Sequence, residues 1–151
     1  MFKMYLEDVK WSGSEASSLL VFKNAKDGGY LSIEIPESVG FDLRTLLNQK
    51  ISGLMPYSGV CELIRQAGGK VRKLTIKNYH KPGTAELLLE IGGKTTEIEL
   101  FFADVVSASI ILDLPIYFDE SLCQKKDLEI ANRLLWTRTE SITNYSFETN
   151  S

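Results

Sequence analysis

Three Gly-Gly pairs, at residues 28–29, 68–69 and 92–93, stand beside short apolar stretches, and this punctuation limits the fold more than any other feature of the chain. Two glycines in succession accept the backbone angles of tight turns that other residues resist, so a pair set between extended runs marks a hairpin. Before the first pair, Phe2 to Trp11 alternates imperfectly through Phe2, Met4, Leu6 and Val9, and Ser18 to Phe22 is a second apolar run. The Ser12-Gly-Ser-Glu-Ala-Ser-Ser stretch between them reads as a hairpin loop. After the pair comes Tyr30-Leu-Ser-Ile-Glu-Ile, with Leu31, Ile33 and Ile35 on one face of a third strand. The first 35 residues therefore predict a three-stranded meander.

Helical spacing follows. Pro36-Glu-Ser-Val-Gly opens a helix with Ser38 as its expected cap and Phe41, Leu43, Leu46 and Leu47 as its apolar stripe. A second helix is expected from about Tyr57 to Ala67, led by Pro56, capped by Ser58, burying Val60, Leu63 and Ile64, and stopped by Gly68-Gly69. Three more strands are marked by Val71, Leu74 and Ile76, by Leu87 to Ile91, and by Ile98 and Leu100, with turns at Lys81-Pro-Gly and Gly92-Gly93. A third helix, Phe102 to Leu112, is apolar enough at Val105, Val106, Ile110 and Ile111 to be sandwiched in the core, and Ala103, Ser107, Ala108 and Ser109 allow close packing. Pro115-Ile-Tyr-Phe is a short extended return, and Asp119-Glu-Ser-Leu opens a further helical segment reaching about Trp136. The expectation is an α+β fold: an antiparallel or mixed meander sheet with helices packed between and against the strands, forming one domain over 1–138 with a polar tail over 139–151.

Chain length sets the scale of the core. With 151 residues, folding buries about two thirds of the unfolded surface, enough to stand without a metal or disulfide staple. The composition, 44% hydrophobic and 25% charged, is that of globular rather than disordered chains. Cys61 and Cys123 lack the spacing of a zinc or redox motif, and reduced buried thiols are the simpler reading. Acidic residues interrupt the first ten residues, and no apolar run reaches the roughly 18 residues of a spanning helix, so no membrane association is expected and the cytoplasm is the expected compartment. A net charge of -3 argues against a surface that tracks nucleic-acid phosphates everywhere, and leaves room for a local basic face. Such a concentration exists at Arg65, Lys70, Arg72, Lys73, Lys77 and Lys81, interleaved with Tyr79. Strand alternation sets Arg72 and Lys73 on opposite faces, so the six cannot all share one surface. Binding of a nucleic-acid backbone and a solvated strand face are both open readings.

Certain segments resemble the bifunctional nuclease domain, a family with DNase and RNase activity. Tyr30-Leu-Ser-Ile-Glu-Ile-Pro-Glu resembles that family's strand leading into a helix, and Gly68-Gly-Lys-Val-Arg-Lys-Leu-Thr-Ile resembles its next helix end and strand. Asp104-Val-Val-Ser-Ala-Ser-Ile-Ile-Leu-Asp-Leu-Pro-Ile-Tyr is similar to the family's Asp-led helix and its Pro-Ile-Tyr strand, and the match spans about Tyr30 to Glu120. Where the family carries Arg-Pro-Ser-Asp, this chain has Phe101-Phe-Ala-Asp, and only Asp104 keeps a polar side chain. Where the family carries Thr-His-Asp, this chain has Pro56-Tyr-Ser. The resemblance implies a metal-dependent hydrolysis of DNA or RNA phosphodiesters, with Asp104 as metal ligand and catalytic carboxylate, Tyr57 and Ser58 at the second catalytic position and a divalent Mg or Mn ion; from the basic concentration, Arg72, Lys73 and Lys77 are the residues expected against the nucleic acid. A non-catalytic relative that serves as a nucleic-acid or protein binding module is the other reading, because fold passes between relatives more readily than activity.

On the residues alone, phosphodiester hydrolysis needs a group that neutralises phosphate charge and one that activates water. Asp104 at a helix start could hold a cation or cap the helix amides, and capping is the commoner use. Asp113, Asp119 and Glu120 flank the Pro115-Ile-Tyr strand and could converge with Asp104 on an ion, or stay solvated. His80, the only histidine, stands in a turn where exposure is the simpler reading. Ser58 lacks a basic neighbour in sequence, so a cap is expected before a nucleophile. Leu134, Leu135 and Trp136 could dock on the core or on a second subunit, and a homodimer is the expected assembly.

Overall fold

The computed structural model describes residues 1–11, 17–54, 58–77 and 85–120. The loop at 12–16, Pro56 and Tyr57, Tyr79, His80, Lys81, Cys123, the helical segment expected after Glu120 and the tail over 139–151 lie outside the described residues. In chain order the elements are β1 (Phe2–Trp11), β2 (Ser17–Asn24), β3 (Tyr30–Pro36), α1 (Glu37–Ile51), α2 (Gly59–Gln66), β4 (Lys70–Ile76), β5 (Ala85–Ile91), β6 (Lys94–Leu100), α3 (Phe102–Leu112) and β7 (Ile116–Phe118). The α+β architecture expected from the sequence is the one observed.

All seven strands form one mixed sheet in the order β3-β2-β1-β7-β4-β5-β6. Two antiparallel meanders, β1-β2-β3 and β4-β5-β6, flank the three-residue β7, which runs antiparallel to β1 and parallel to β4. The hairpin between β5 and β6 turns on Gly92 (φ 59°) and Gly93 (φ 81°), two successive left-handed residues of the kind a two-residue hairpin requires. The imperfect alternation of β1 has a structural cause. Leu6 lies opposite Phe22 and Asp8 opposite Val21, so Glu7 is the extra residue of a β-bulge, and the core-facing series jumps from Leu6 to Val9.

Register carries the apolar residues to one side. Leu6, Phe22 and Leu31 form one cross-strand row and Val9, Leu20 and Ile33 another, while Met4, Ile116 and Leu74 continue the core through the centre. The rings of Phe22 and Phe118 meet edge to face at 5.0 Å. α1 covers β1 to β3, α3 covers β4 and β5, and the two helices pack on each other over this face. α3 buries Phe102, Val105, Val106, Ala108, Ser109 and Ile110, so Val105, Val106 and Ile110 are in the core as expected, while Ile111 is half-buried and Asp104 and Leu112 are exposed. No helix among the described residues is long and apolar enough to cross a membrane.

Two helix faces differ from expectation. Ser38 is not the cap of α1: the helix begins at Glu37 directly after β3, Pro36 holds the cap position, and no side chain bonds the first amides. Phe41 is 60% exposed while Leu43 is buried. Those residues lie two apart, about 200° around the helix, so one stripe cannot bury both. In α2, Ile64 packs against the core as expected, but Val60 and Leu63 are exposed and Cys61 takes the inward place instead. Ser58 does cap α2, accepting from the Cys61 amide at 3.4 Å.

A polar network fixes α1 to the sheet. Buried Ser18 of β2 donates to the Glu37 carboxylate and accepts from Arg44 at 3.1 Å, and Arg44 in turn binds Glu37 at 2.6 Å. The hydrogen bonds from Ser18 and then Arg44 hold the Glu37 carboxyl below its usual range. Gly40 sits directly over Ser18, where a Cβ would come within 2.4 Å of the serine Cβ, so this helical glycine is required by close approach rather than by backbone angle.

Candidate functional site

Asp104 lies in the first turn of α3, and its amide is bonded to the carbonyl of Phe101, which holds the cap position. No side chain caps this helix, so the capping role considered for Asp104 is not realised; its exposed carboxylate stands free of the helix amides, in the turn where the helix dipole favours negative charge. From there it borders a cleft of about 190 Å³ between α1, α2, α3 and the β5–β6 edge. Ser58, Cys61, Asp104 and Ser107 supply its polar lining, over an apolar floor of Leu87 and Leu100. Two chain segments distant in sequence, the start of α2 and the start of α3, thus bring Ser58 and Asp104 to one cavity.

Most polar atoms of the cleft already have local partners. The Ser58 oxygen accepts from the Cys61 amide, which leaves its own O–H to donate elsewhere. Ser107 donates to the Ala103 carbonyl at 2.9 Å. Burial pushes the Cys61 thiol up, and the hydrogen bond with Ser58 offsets this only in part, so the group is a neutral thiol rather than a thiolate nucleophile near pH 7. Cys61 and Ser107 were not singled out for the site from sequence. Ser107 could have been, since it lies three residues after Asp104 on the same helix face.

The other acids do not join Asp104. Asp113 closes the opposite end of α3, about 13 Å away along the helix axis, and pairs with Lys50 at 3.3 Å. Glu120 pairs with the N-terminal amine at 3.6 Å, and the Asp119 amide continues the β4–β7 ladder by donating to the Ile76 carbonyl at 3.1 Å. The convergence of Asp104, Asp113, Asp119 and Glu120 on one ion is therefore not formed: no group of three His, Cys, Asp or Glu side chains suited to a metal occurs among the described residues.

The basic residues divide as well. Arg65 is on α2 and binds Glu62 and, with Gln66, holds that carboxyl down to about 2. On β4 the expected separation of Arg72 from Lys73 is overturned by a second β-bulge, which places Val71 opposite Leu89 and Lys73 opposite Leu88. Arg72 reaches Glu90 at 2.6 Å, Lys77 reaches Glu86 at 3.0 Å, and the Lys73 ammonium lies 4.7 Å from the centre of the Tyr117 ring. All three share the sheet face opposite the helices, away from the cleft, and Arg72 and Lys77 are matched by carboxylates of β5. No family model matches the chain, and no curated protein matches it.

Proposed function

We propose that the chain is a bifunctional-nuclease-like domain that hydrolyses phosphodiester bonds of DNA or RNA at the Asp104 cleft, in the cytoplasm and as a homodimer. One observation carries this reading: Asp104, kept from the family's Arg-Pro-Ser-Asp, and Ser58, which stands where the family carries Thr-His-Asp, line the same cavity. A resident metal held by protein ligands alone does not fit, because a single carboxylate faces the cleft and no three-ligand group forms among the described residues. A Mg or Mn ion that arrives with the substrate's phosphates needs only one or two protein carboxylates, and Asp104 would supply one. Such an ion would neutralise phosphate charge when bound. The chain's own contributions are then the Asp104 carboxylate at the rim, the Ser58 O–H as a donor to a phosphate oxygen, and the Leu87 and Leu100 floor that limits water.

The non-catalytic binding module is supported by a different observation. Among the described residues Asp104 is the only charged side chain of the cleft, and none of them brings a cation there to meet a phosphate.

Degradation of labelled single-stranded DNA and RNA, with Mg²⁺, Mn²⁺ or EDTA and beside an Asp104→Ala variant, separates the two. Metal-dependent cleavage that disappears in folded Asp104→Ala supports hydrolysis at the cleft. Clean, folded protein that cleaves neither polymer would leave the binding module.

A further inference from the structure

The sheet face opposite the helices holds an arrangement that the cleft does not use. Across β3, β2 and β1, Tyr30, Lys23 and Tyr5 stand opposite one another in one row. Two residues along β1, Lys3 stands opposite Tyr117 of β7. Residues two apart on a strand share a face, and directly opposed residues do so too, so these five side chains form one continuous patch. Lys73 completes it, with its ammonium 4.7 Å from the Tyr117 ring centre; Lys3 lies 5.7 Å from Tyr5 and Lys23 lies 5.9 Å from Tyr30. Every ring of the patch therefore has a lysine within cation–π range.

This half of the face differs from the other. Beyond β4, the face carries Glu86, Glu90, Glu97 and Glu99, the first two neutralised by Lys77 and Arg72. In the β1–β2–β3 half, the nearest acids are Glu7 and Asp8 at the β1 bulge, one row beyond Tyr5, and Glu34, two rows beyond Tyr30. Three rings and three ammonium groups thus stand together on strands, held by register rather than by loops.

We propose that this Tyr5–Tyr30–Tyr117 face, with Lys3, Lys23 and Lys73, binds single-stranded nucleic acid. Aromatic side chains spread over a sheet accept unpaired bases by stacking, and lysines between them take the phosphates; neither contact demands a particular base. When a base takes a ring face, the ammonium that lay over it swings to the adjacent phosphate. Cross-strand geometry sets Tyr5 about 7–8 Å from Tyr117 on the diagonal and about 10 Å from Tyr30, two strands away. A duplex keeps its bases inside and can offer such a surface only its phosphates. The face does not need Asp104, so the proposal stands apart from hydrolysis at the cleft.

The test is fluorescence anisotropy of the full chain in EDTA, which keeps the probe uncut. The probes are oligo(dT) and oligo(U) of about 16 nucleotides, beside a duplex of equal length. Single strands should bind more tightly than the duplex. Tyr5→Leu and Tyr117→Leu should each weaken binding roughly fivefold or more, Tyr117→Phe should keep it, and Lys73→Gln should reduce the slope of log affinity against log salt by about 0.7. Tyr5 is 44% exposed, so its replacement leaves the core intact. Absence of binding by the wild-type chain, equal binding of duplex, or undiminished binding by Tyr5→Leu with native circular dichroism would each overturn the proposal. Asp104→Ala separates the two sites. Its binding should equal wild type, and loss of binding in that variant alone would move the strand to the cleft and refute the face. Binding that depends on the tyrosines, in a chain that cleaves nothing, would keep the face and remove the nuclease.

Discussion

Replacing Gly40 by alanine should destabilise the chain by about 2–3 kcal/mol, although alanine is the better helix former. The new Cβ would stand 2.4 Å from the Cβ of Ser18 and 2.5 Å from its Oγ, where carbon atoms settle at about 3.5–4.0 Å. Ser18 is fully buried and is held by Glu37 and Arg44, so it cannot turn aside without giving up charge-assisted hydrogen bonds. Overpacking of this kind costs about 1–3 kcal/mol and a weakened bond to a charged group about 1.5–3 kcal/mol, against a gain of about 1 kcal/mol from helix propensity. At this chain length the net loss lowers Tm by about 6–10 °C. Urea unfolding followed by far-ultraviolet circular dichroism measures it, and the decisive arm is a double-mutant cycle with Ser18→Gly, which removes the colliding atoms. In that background Gly40→Ala should cost nothing or stabilise. An equal loss in both backgrounds, or a Gly40→Ala single variant as stable as wild type, would refute the close approach as the reason for this glycine.

The carboxyl of Glu62, held down to about 2 by Arg65 and Gln66, contributes stability above its unfolded value near 4.5 and loses it as pH falls toward 2; the acid side of the pH–stability curve should therefore be flatter in Glu62→Gln. Burial raises the Cys61 thiol above its usual value of about 9, so alkylation at Cys61, read by peptide mapping, should stay slow at neutral pH and accelerate only as pH climbs past that value. Asp113 has a left-handed backbone (φ 58°) at the end of α3, and Asp113→Gly should raise stability by roughly 0.5–1 kcal/mol in thermal unfolding, since the pair it forms with Lys50 is on an exposed carboxylate.

The strands and the turns between them could be read because the residues that define them act locally, whereas the place of β7 between β1 and β4 could not. Leu31, Ile33 and Ile35 alternate without interruption, and Gly92-Gly93 admits little besides a hairpin turn, so β3 and the β5–β6 pair needed no tertiary knowledge. The faces of α1 and α2 were harder. Phe41 and Leu63 are as apolar as the residues that are buried, and only the position of the neighbouring elements decides which side of the helix meets the core. The bulges were invisible for a related reason: nothing in Val71-Arg72-Lys73 announces an extra residue, yet it turns Arg72 to the face where Glu90 waits.

For the cleft, the sequence supplied Asp104 and Ser58 separately, on two helix starts, and could not show that both helices border one cavity. It also could not show that Asp113 faces away, although the length of α3 already separates the two acids by about 13 Å. The tyrosine and lysine face was legible in no single segment. Its members come from five strands, and only the register of β1 against β2 and β7 sets Tyr5, Lys23, Lys3 and Tyr117 side by side.

The three residues of β7 also impose a timetable. Within the sheet they are the sole link between the two meanders, and they emerge from the ribosome after both meanders have been synthesised. The β1–β2–β3 unit can zip up early through neighbouring segments, but the edge of Met4 that Ile116 will occupy stays open until nearly the whole described chain exists. During that interval β1 presents an unpaired strand edge, the kind of surface that invites pairing with a foreign strand, in a nascent chain whose mature sheet hides it at the centre. Stalling or truncation just before Ile116 would therefore release two half-sheets with sticky inner borders, and the shortest strand of the fold governs when the chain stops being vulnerable to aggregation.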